Sequence, residues 1–325
     1  MFIKTPEKMA VANGVDSETK RVLILGDNYA GSSIIKALSN SSLEVHVVHP
    51  HAPSTSAEGI TYHTCDLNKS LTSLFQTVTP DLIISTASGG SFEAQKRIIE
   101  SAIEARIPRF VPAEFGHDSL NKKIQNRLPP SRERARTIEY LQQQAKDGRV
   151  EWVAVATGTT LDRGLLSGTL GFDLKWESAT LHGKGHERFP AGSSPWIGRV
   201  VLAVIEHWQD VKNQYIYASG MTISANEIVA SLEHETGKTF EVGRADIGEC
   251  VSEGERRLQQ GFPDAGMFLL ERSVLYDEYM NAVRPFREDD AKKLLGLAPE
   301  SLHDIIHGVL HDEQHHGGRP SCGCD

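Results

Sequence analysis

No unbroken run of ~18 or more apolar residues occurs in the 325 residues, which argues against a membrane-spanning helix. Nor is there an excess of positive charge. The 34 Lys and Arg stand against 43 Asp and Glu, and a formal net charge of −9 speaks against nucleic acid or an anionic membrane as partner. Cysteine is scarce: Cys65 and Cys250 stand alone, and Cys322 and Cys324 sit close to the end of the sequence. No disulfide framework is expected, and a reducing compartment, the cytoplasm, is. The first twenty residues lack the continuous apolar segment of a secretory signal and read as a flexible arm. Two catalytic signatures are missing as well. There is no Gly-x-Ser-x-Gly elbow for hydrolysis and no Tyr-x-x-x-Lys pair for proton relay.

What is present is alternation. RVLIL (21–25), LEVHVV (43–48), ITYHTCDL (60–67), DLIISTA (81–87), RFVPAEF (109–115) and VEWVAVAT (150–157) read as strands. Between them lie helical patterns, the clearest being SFEAQKRIIESAIEARI, where Phe92, Ile98, Ile99, Ala102 and Ile103 recur at helical spacing. Short apolar strands with helical crossovers predict an α/β fold with a doubly wound parallel sheet. After Thr157 the rhythm gives way to a glycine-rich segment, then a returning strand over 214–219 and a mostly helical remainder, with Ser224 placed as an N-cap. The expected organisation is an arm (1–20), a dinucleotide-binding-type domain (21–157), a smaller, mostly helical substrate domain (158–316) and a flexible tail (317–325).

The loop LGDNYAGSSIIKAL, Leu25 to Leu38, lies between the first strand and a helix, as a dinucleotide loop should. It has two glycines, Gly26 and Gly31, where that fingerprint has three. Asn28 and Tyr29 stand where a glycine would let the backbone close on a pyrophosphate. Ser32 and Ser33 offer hydroxyls to compensate; the competing reading is a plain strand-to-helix turn. At the end of the second strand, HPHAPSTS carries no acid before Glu58, which disfavours NAD. His49, His51, Ser54 and Thr55 there suit a 2′-phosphate or an ordinary surface turn equally.

LIISTASGG, RFVPAEFGHDS, ATGTTLDRGLLSGTLGFDLKWESATLHGKG and NQYIYASGMTISANEI together resemble the isoflavone-reductase and NmrA-like branch of the atypical short-chain dehydrogenases, chiefly its fungal members. The resemblance runs over residues 21–300. It implies a Rossmann-type domain and an NADPH-dependent reductase of a small aromatic or polyketide-like secondary metabolite. Carried over residue by residue, it places Gly26, Asn28, Tyr29 and Gly31 at the pyrophosphate and His49 at the adenosine ribose. Thr86, Ala87 and Ser88 fall beneath the cofactor, and Pro112, Ala113, Glu114 and Phe115 at the nicotinamide. Thr157, Gly158, Leu161, Phe172 and Trp176 are the expected substrate contacts.

The lysine that the family carries after PAEFG is replaced here. Arg134 takes its position, or Arg136 or Arg132 if the alignment slips. A guanidinium stays protonated, so it stabilises an oxyanion and trades no proton near neutrality. His117, directly after PAEFG, is the candidate proton donor, with water as the alternative, and His182 and His186 lie in the substrate segment. His303, His307, His311 and His315 recur every four residues, but the adjoining apolar face favours an amphipathic helix over a metal site, and no metal is expected. Three readings stay open: the reductase, a non-redox cyclase, isomerase or dehydratase on the same fold, and a non-catalytic dinucleotide sensor. A small molecule is the expected partner, and nothing in the residues fixes an oligomeric state.

Overall fold

In the computed structural model, residues 19–50 and 57–316 are described. The central sheet comprises β1 (Arg21–Leu25), β2 (Glu44–His49), β3 (Ile60–Thr64), β4 (Leu82–Ser85), β5 (Arg109–Val111), β6 (Glu151–Ala156) and β7 (Gln214–Tyr217). Their order is β7-β6-β5-β4-β1-β2-β3, and every pairing is parallel. The unbroken apolar character of β1 and β4 follows from burial on both faces. Val22 and Ile24 face a core with Ile34, Val47, Trp196 and Val200, whereas Leu23 and Leu25 face another with Phe75, Ile83, Ile98 and Trp152. The strand order reverses between β1 and β4, which opens a crevice beyond their carboxyl ends.

Helices α1 (Tyr29–Ser39), α2 (Phe92–Glu104) and α3 (Pro129–Lys146) pack on the sheet, α4 (Leu161–Leu166) enters a smaller core, and α5 (Ser194–Glu206) covers the sheet beside α1. α1 and α5 touch almost backbone to backbone. A Cβ on Gly198 of α5 would lie 2.4 Å from the Ser33 carbonyl oxygen and 2.7 Å from the Ala37 Cβ. Gly198→Leu is therefore expected to part the two helices and lower stability by about 1–3 kcal/mol. Urea unfolding measures this, and an unchanged midpoint would show that the pair yields freely.

Gly-rich composition gave no strands for residues 158–245 except the one at 214–219, yet two three-stranded sheets form there. One joins Thr159–Thr160, Arg188–Gly192 and Met221–Ser224; the other joins Phe172–Asp173, Ser178–His182 and Glu241–Ala245. Their strands are two to five residues long, and most mix polar or charged residues, glycine or proline where the central strands have an apolar run. They enclose a separate core of Leu165, Phe172, Phe189, Leu232, Tyr276 and Ile306. Ser224 caps the helix Ala225–Thr236 through a reciprocal capping box with Glu227. The last helix, Leu302–His316, buries Ile305, Ile306 and Val309 and leaves His303, His307 and His311 exposed. No helix among the described residues is long and apolar enough to cross a membrane.

Candidate active site

The shortened loop after β1 is held by its own side chains. Gly26 adopts φ +93°, and a Cβ there would sit 2.9 Å from Thr86 Oγ1. A Cβ on Gly31 would sit 2.4 Å from the Gly26 carbonyl oxygen, so both glycines permit the strand and helix to close on each other. Asn28 acts as the N-cap: Oδ1 accepts from the Gly31 amide at 3.0 Å, and Nδ2 donates to the Thr86 carbonyl at 2.7 Å. The Tyr29 and Ala30 amides keep no protein acceptor and lie at the start of α1, where a helix offers an anion its donors. The Ser32 and Ser33 hydroxyls are not available for that purpose, since they donate to the Asp27 and Tyr29 carbonyls, both at 2.9 Å.

At the end of β2, His49 Nδ1 lies 3.1 Å from an Asp27 carboxylate oxygen. An acid thus reaches the end of β2 from the loop, although none follows the strand in sequence. His51, Ser54 and Thr55 fall outside the described residues, as do Cys322 and Cys324, and the Ser88 side chain is likewise outside the description.

The PAEFG turn after β5 brings the reactive groups in. Glu114 N donates to the Pro112 carbonyl at 2.8 Å, and Phe115 takes φ +52° while its amide donates to Val155 at 2.9 Å. A left-handed phenylalanine costs on the order of 1–2 kcal/mol and persists because its ring is buried in the sheet core. The strained turn aims Glu114 into a cavity of about 220 Å³ beyond the strand ends, lined also by Tyr29, His117, Arg134, Gly158 and Glu271. Glu114 is 6% exposed, and its Oε1 accepts from the Tyr215 hydroxyl at 2.8 Å. The Tyr215 oxygen accepts in turn from the Ser119 amide at 2.9 Å. Tyr217, two residues on and edge-to-face with Tyr215, donates to Asp118 Oδ1 at 3.2 Å.

Arg134 reaches the cavity from α3. Its stem lies against Gly90, where a Cβ would fall 2.7 Å from Arg134 Cγ. Among the described residues its Nε is buried without an acceptor, and no carboxylate lies within ion-pair distance. His117 carries a second orphan, a buried Nδ1 without a partner. Burial first, and then the Arg134 charge, lowers the His117 pKa to about 4, so its ring is neutral at physiological pH. The expectation that histidine titrates where a donor must is therefore not met at His117. Burial raises Glu114 to about 7 against the opposing pull of Arg134. Glu271 also lines the cavity, but it is solvent-exposed.

Not every expected contact gathers here. Gly158 lines the cavity at φ +79°, with Pro190 O 2.4 Å from where its Cβ would be. Thr157 is buried behind it with an unpartnered hydroxyl. Leu161 and Phe172 belong to the small core, and Trp176 is 72% exposed, away from the cavity. Thr86 and Ala87 lie under the loop at the end of β4, and Pro112 ends β5. Arg132 and Arg136 do not line the cavity, and Arg136 pairs with Glu133 at 3.1 Å. His182 is buried against Tyr276, with its pKa lowered to about 4 by burial and then Arg272. His186 lies 3.2 Å from the Asn226 side-chain amide. Among the described residues no three His, Cys, Asp or Glu side chains gather as a metal would require.

Sequence reasoning missed Arg163 on α4, and Glu271 and Arg272 on a sixth helix, α6 (Pro263–Tyr276), all of which line the cavity. The signal was a charged pair, Glu271 and Arg272, set inside the apolar run MFLLERSVLY.

No family model matches the chain. The chain is 29% identical over 237 residues to oxidoreductase aprR of Aspergillus flavus, covering 71% of this chain and 77% of that protein. It is 23% identical over 284 residues to an NmrA-like family domain-containing oxidoreductase of Gibberella moniliformis, covering 79% and 90%. Its fold superposes on the leucoanthocyanidin reductase–NADPH complex of Vitis vinifera with a TM-score of 0.73, at 13% identity, over 90% and 99% of the two chains. The resemblance to the isoflavone-reductase and NmrA-like family is borne out. An isoflavone reductase structure also superposes, with a TM-score of 0.67 at 17% identity over 89% and 98%. In this chain the loop after β1 is held by the Asn28 side-chain cap, and Arg134 meets no carboxylate within ion-pair distance among the described residues.

Proposed function

We propose that the protein is an NADPH-dependent reductase of a small aromatic or polyketide-like molecule. The observation that carries this reading is the convergence of Glu114, His117 and Arg134 on one cavity beside a helix N-terminus with two unbonded amides. The residues present fit the dinucleotide: Gly26 and Gly31 keep the loop low, and the Tyr29 and Ala30 amides would hold its phosphates. His49 and Asp27 would meet the ribose, Thr86 and Ala87 would lie beneath the cofactor, and Pro112 would border the nicotinamide. Bound NADPH would supply hydride to an electrophilic carbon.

The chain's own groups do the rest. Arg134, with no carboxylate to neutralise it, stabilises negative charge developing on the substrate oxygen. Glu114 is the group that holds a proton near neutrality, and it delivers that proton from its carboxyl to the reduced substrate. The Tyr215 hydroxyl fixes the carboxyl's orientation. His117, neutral, serves as a hydrogen-bonding group at the substrate. These assignments are supported by distance and burial together.

Titration of nucleotide-free protein with NADPH and NADH, followed by nucleotide fluorescence and thermal shift, tests the reading; NADPH consumption against conjugated carbonyls and quinones then tests turnover. NADPH at ~100 times its dissociation constant raises stability by about 2.7 kcal/mol. Absence of binding at millimolar nucleotide overturns the reading. Turnover without any nucleotide would instead establish the non-redox alternative, which the missing lysine and the side-chain-capped loop favour.

Asp27 gives a further expectation. Its carboxylate at the ribose end repels a 2′-phosphate, so Asp27→Asn should strengthen NADPH relative to NADH by roughly three- to ten-fold, about a kcal/mol of charge interaction. Competition titrations measure the ratio, and a ratio equal to wild type would place Asp27 away from the phosphate.

A further inference from the structure

The protein is acidic overall, with a formal net charge of −9, yet its cavity is walled by three arginines, Arg134, Arg163 and Arg272. Among the described residues none of the three has a carboxylate within ion-pair distance. Elsewhere the chain pairs such groups closely: Arg21 with Glu44 at 2.9 Å, Arg127 with Asp277 at 3.1 Å, Arg188 with Glu227 at 2.8 Å.

Arg163 is the clearest case. Its guanidinium makes no hydrogen bond and rests over the Tyr29 ring, 5.6 Å from the centroid. The neighbouring carboxylate, Asp162, is turned away, with both oxygens 3.0 Å from the Ser194 amide at the start of α5. Arg272 donates Nε and Nη2 to the Thr169 and Gly168 carbonyls at 2.9 and 3.0 Å, which leaves Nη1 unbonded. Those two bonds fix the turn directly after α4, so both guanidinia belong to one wall. Of the two carboxyls on the same cavity, Glu114 is buried and biased toward the neutral acid while Glu271 is exposed, and His117 is uncharged, so three guanidinia face at most one full carboxylate. Positive charge is therefore in excess, and a recess with low-dielectric walls concentrates it.

We propose that the substrate carries a carboxylate, gripped by Arg163 with Arg272 beside it, while Arg134 faces the reacting end. This rests on the reductase reading of the same cavity. A planar guanidinium fork matches carboxylate and phosphate alike, so the rival source of the anion is the dinucleotide's own phosphates.

Cinnamate and cinnamamide, matched in size and differing in charge, are the probes. Each is titrated calorimetrically into wild-type and Arg163→Gln protein, with and without saturating NADP+. The Arg163 guanidinium holds no other element in place, so the variant should fold. The expected result is cinnamate binding roughly ten-fold or more tightly than cinnamamide to the NADP+-loaded wild type. In Arg163→Gln that preference falls to within about two-fold, and NADP+ affinity is unchanged. Equal binding of acid and amide, or no cinnamate binding at about 5 mM, overturns the proposal. So does cinnamate binding that Arg163→Gln leaves intact, or competition between cinnamate and NADP+. A variant that loses NADP+ and keeps cinnamate assigns Arg163 to the cofactor phosphates. If NADP+ fails to bind the wild type, the reductase reading falls, and the acid–amide comparison on unloaded protein still decides this one.

Discussion

Glu114→Gln is expected to cut turnover by roughly 10²–10⁴-fold while leaving NADPH affinity within about two-fold. The amide keeps the size of the carboxyl and its bond to the Tyr215 hydroxyl, 2.8 Å away in the wild type, but has no acidic proton. The pH dependence separates this role from a structural one. Burial raises the Glu114 pKa to about 7, so the donor form is full below that pH and is lost as pH rises through it. Wild-type turnover should fall on the alkaline side, and the variant's residual rate should lack that limb.

Stability should follow with the matching sign. A carboxyl whose folded pKa is raised destabilises once it ionises, so the stability of the wild type relative to Glu114→Gln should fall as pH rises from the ordinary carboxylate range through 7. His117 and His182, whose folded pKa values are lowered to about 4, contribute with the opposite sign. The unfolded chain takes up their protons first, so their share of the stability is lost as pH falls from about 6.5 toward 4, in wild type and variant alike. An infrared titration of the protonated-carboxyl band in wild type and variant locates the Glu114 proton independently of turnover. A band that survives the substitution would remove Glu114 from the role.

Arg134→Met should cost roughly 10²–10³-fold in turnover, the usual consequence of deleting one group that stabilises an oxyanion. Methionine fills much of the stem's volume against Gly90, so folding should survive. The variant makes a second, less obvious change. Arg134 lowers the pKa of both Glu114 and His117, and its removal should move the alkaline limb of the pH profile to higher pH. A purely steric role for Arg134 predicts the lost rate without the moved limb. Arg134→Lys should recover part of the rate, because a cation returns to the cavity, though without the planar fork. Wild-type turnover in Arg134→Met would end its assignment.

Much of the architecture could be read from residue order. β1 and β4 are apolar without alternation because both faces are covered, and that pattern is visible in RVLIL and LIIS without any coordinates. The small sheets were not legible, since most of their strands mix polar or charged residues, glycine or proline and show neither an apolar run nor a clean alternation. At the site, Glu114 stood on a motif that carries the family resemblance, and Arg134 at the position where the resemblance expects a lysine. The acid beside His49 escaped notice because it comes from the first loop, twenty-two positions earlier in the chain.

What the sequence determined by itself was the parallel sheet, the shortened loop and the exchange of lysine for arginine, all consequences of local pattern and residue identity. Tertiary structure decided the rest. Whether a buried ionisable group holds its proton depends on solvent exclusion and on charges brought near from distant segments. Arg134 from α3 and Glu114 from the turn after β5 meet only when the sheet closes, and there His117 becomes neutral while Glu114 becomes the group that titrates. Arg163 and Arg272, more than a hundred positions apart, share one wall because Arg272 binds the turn that ends α4.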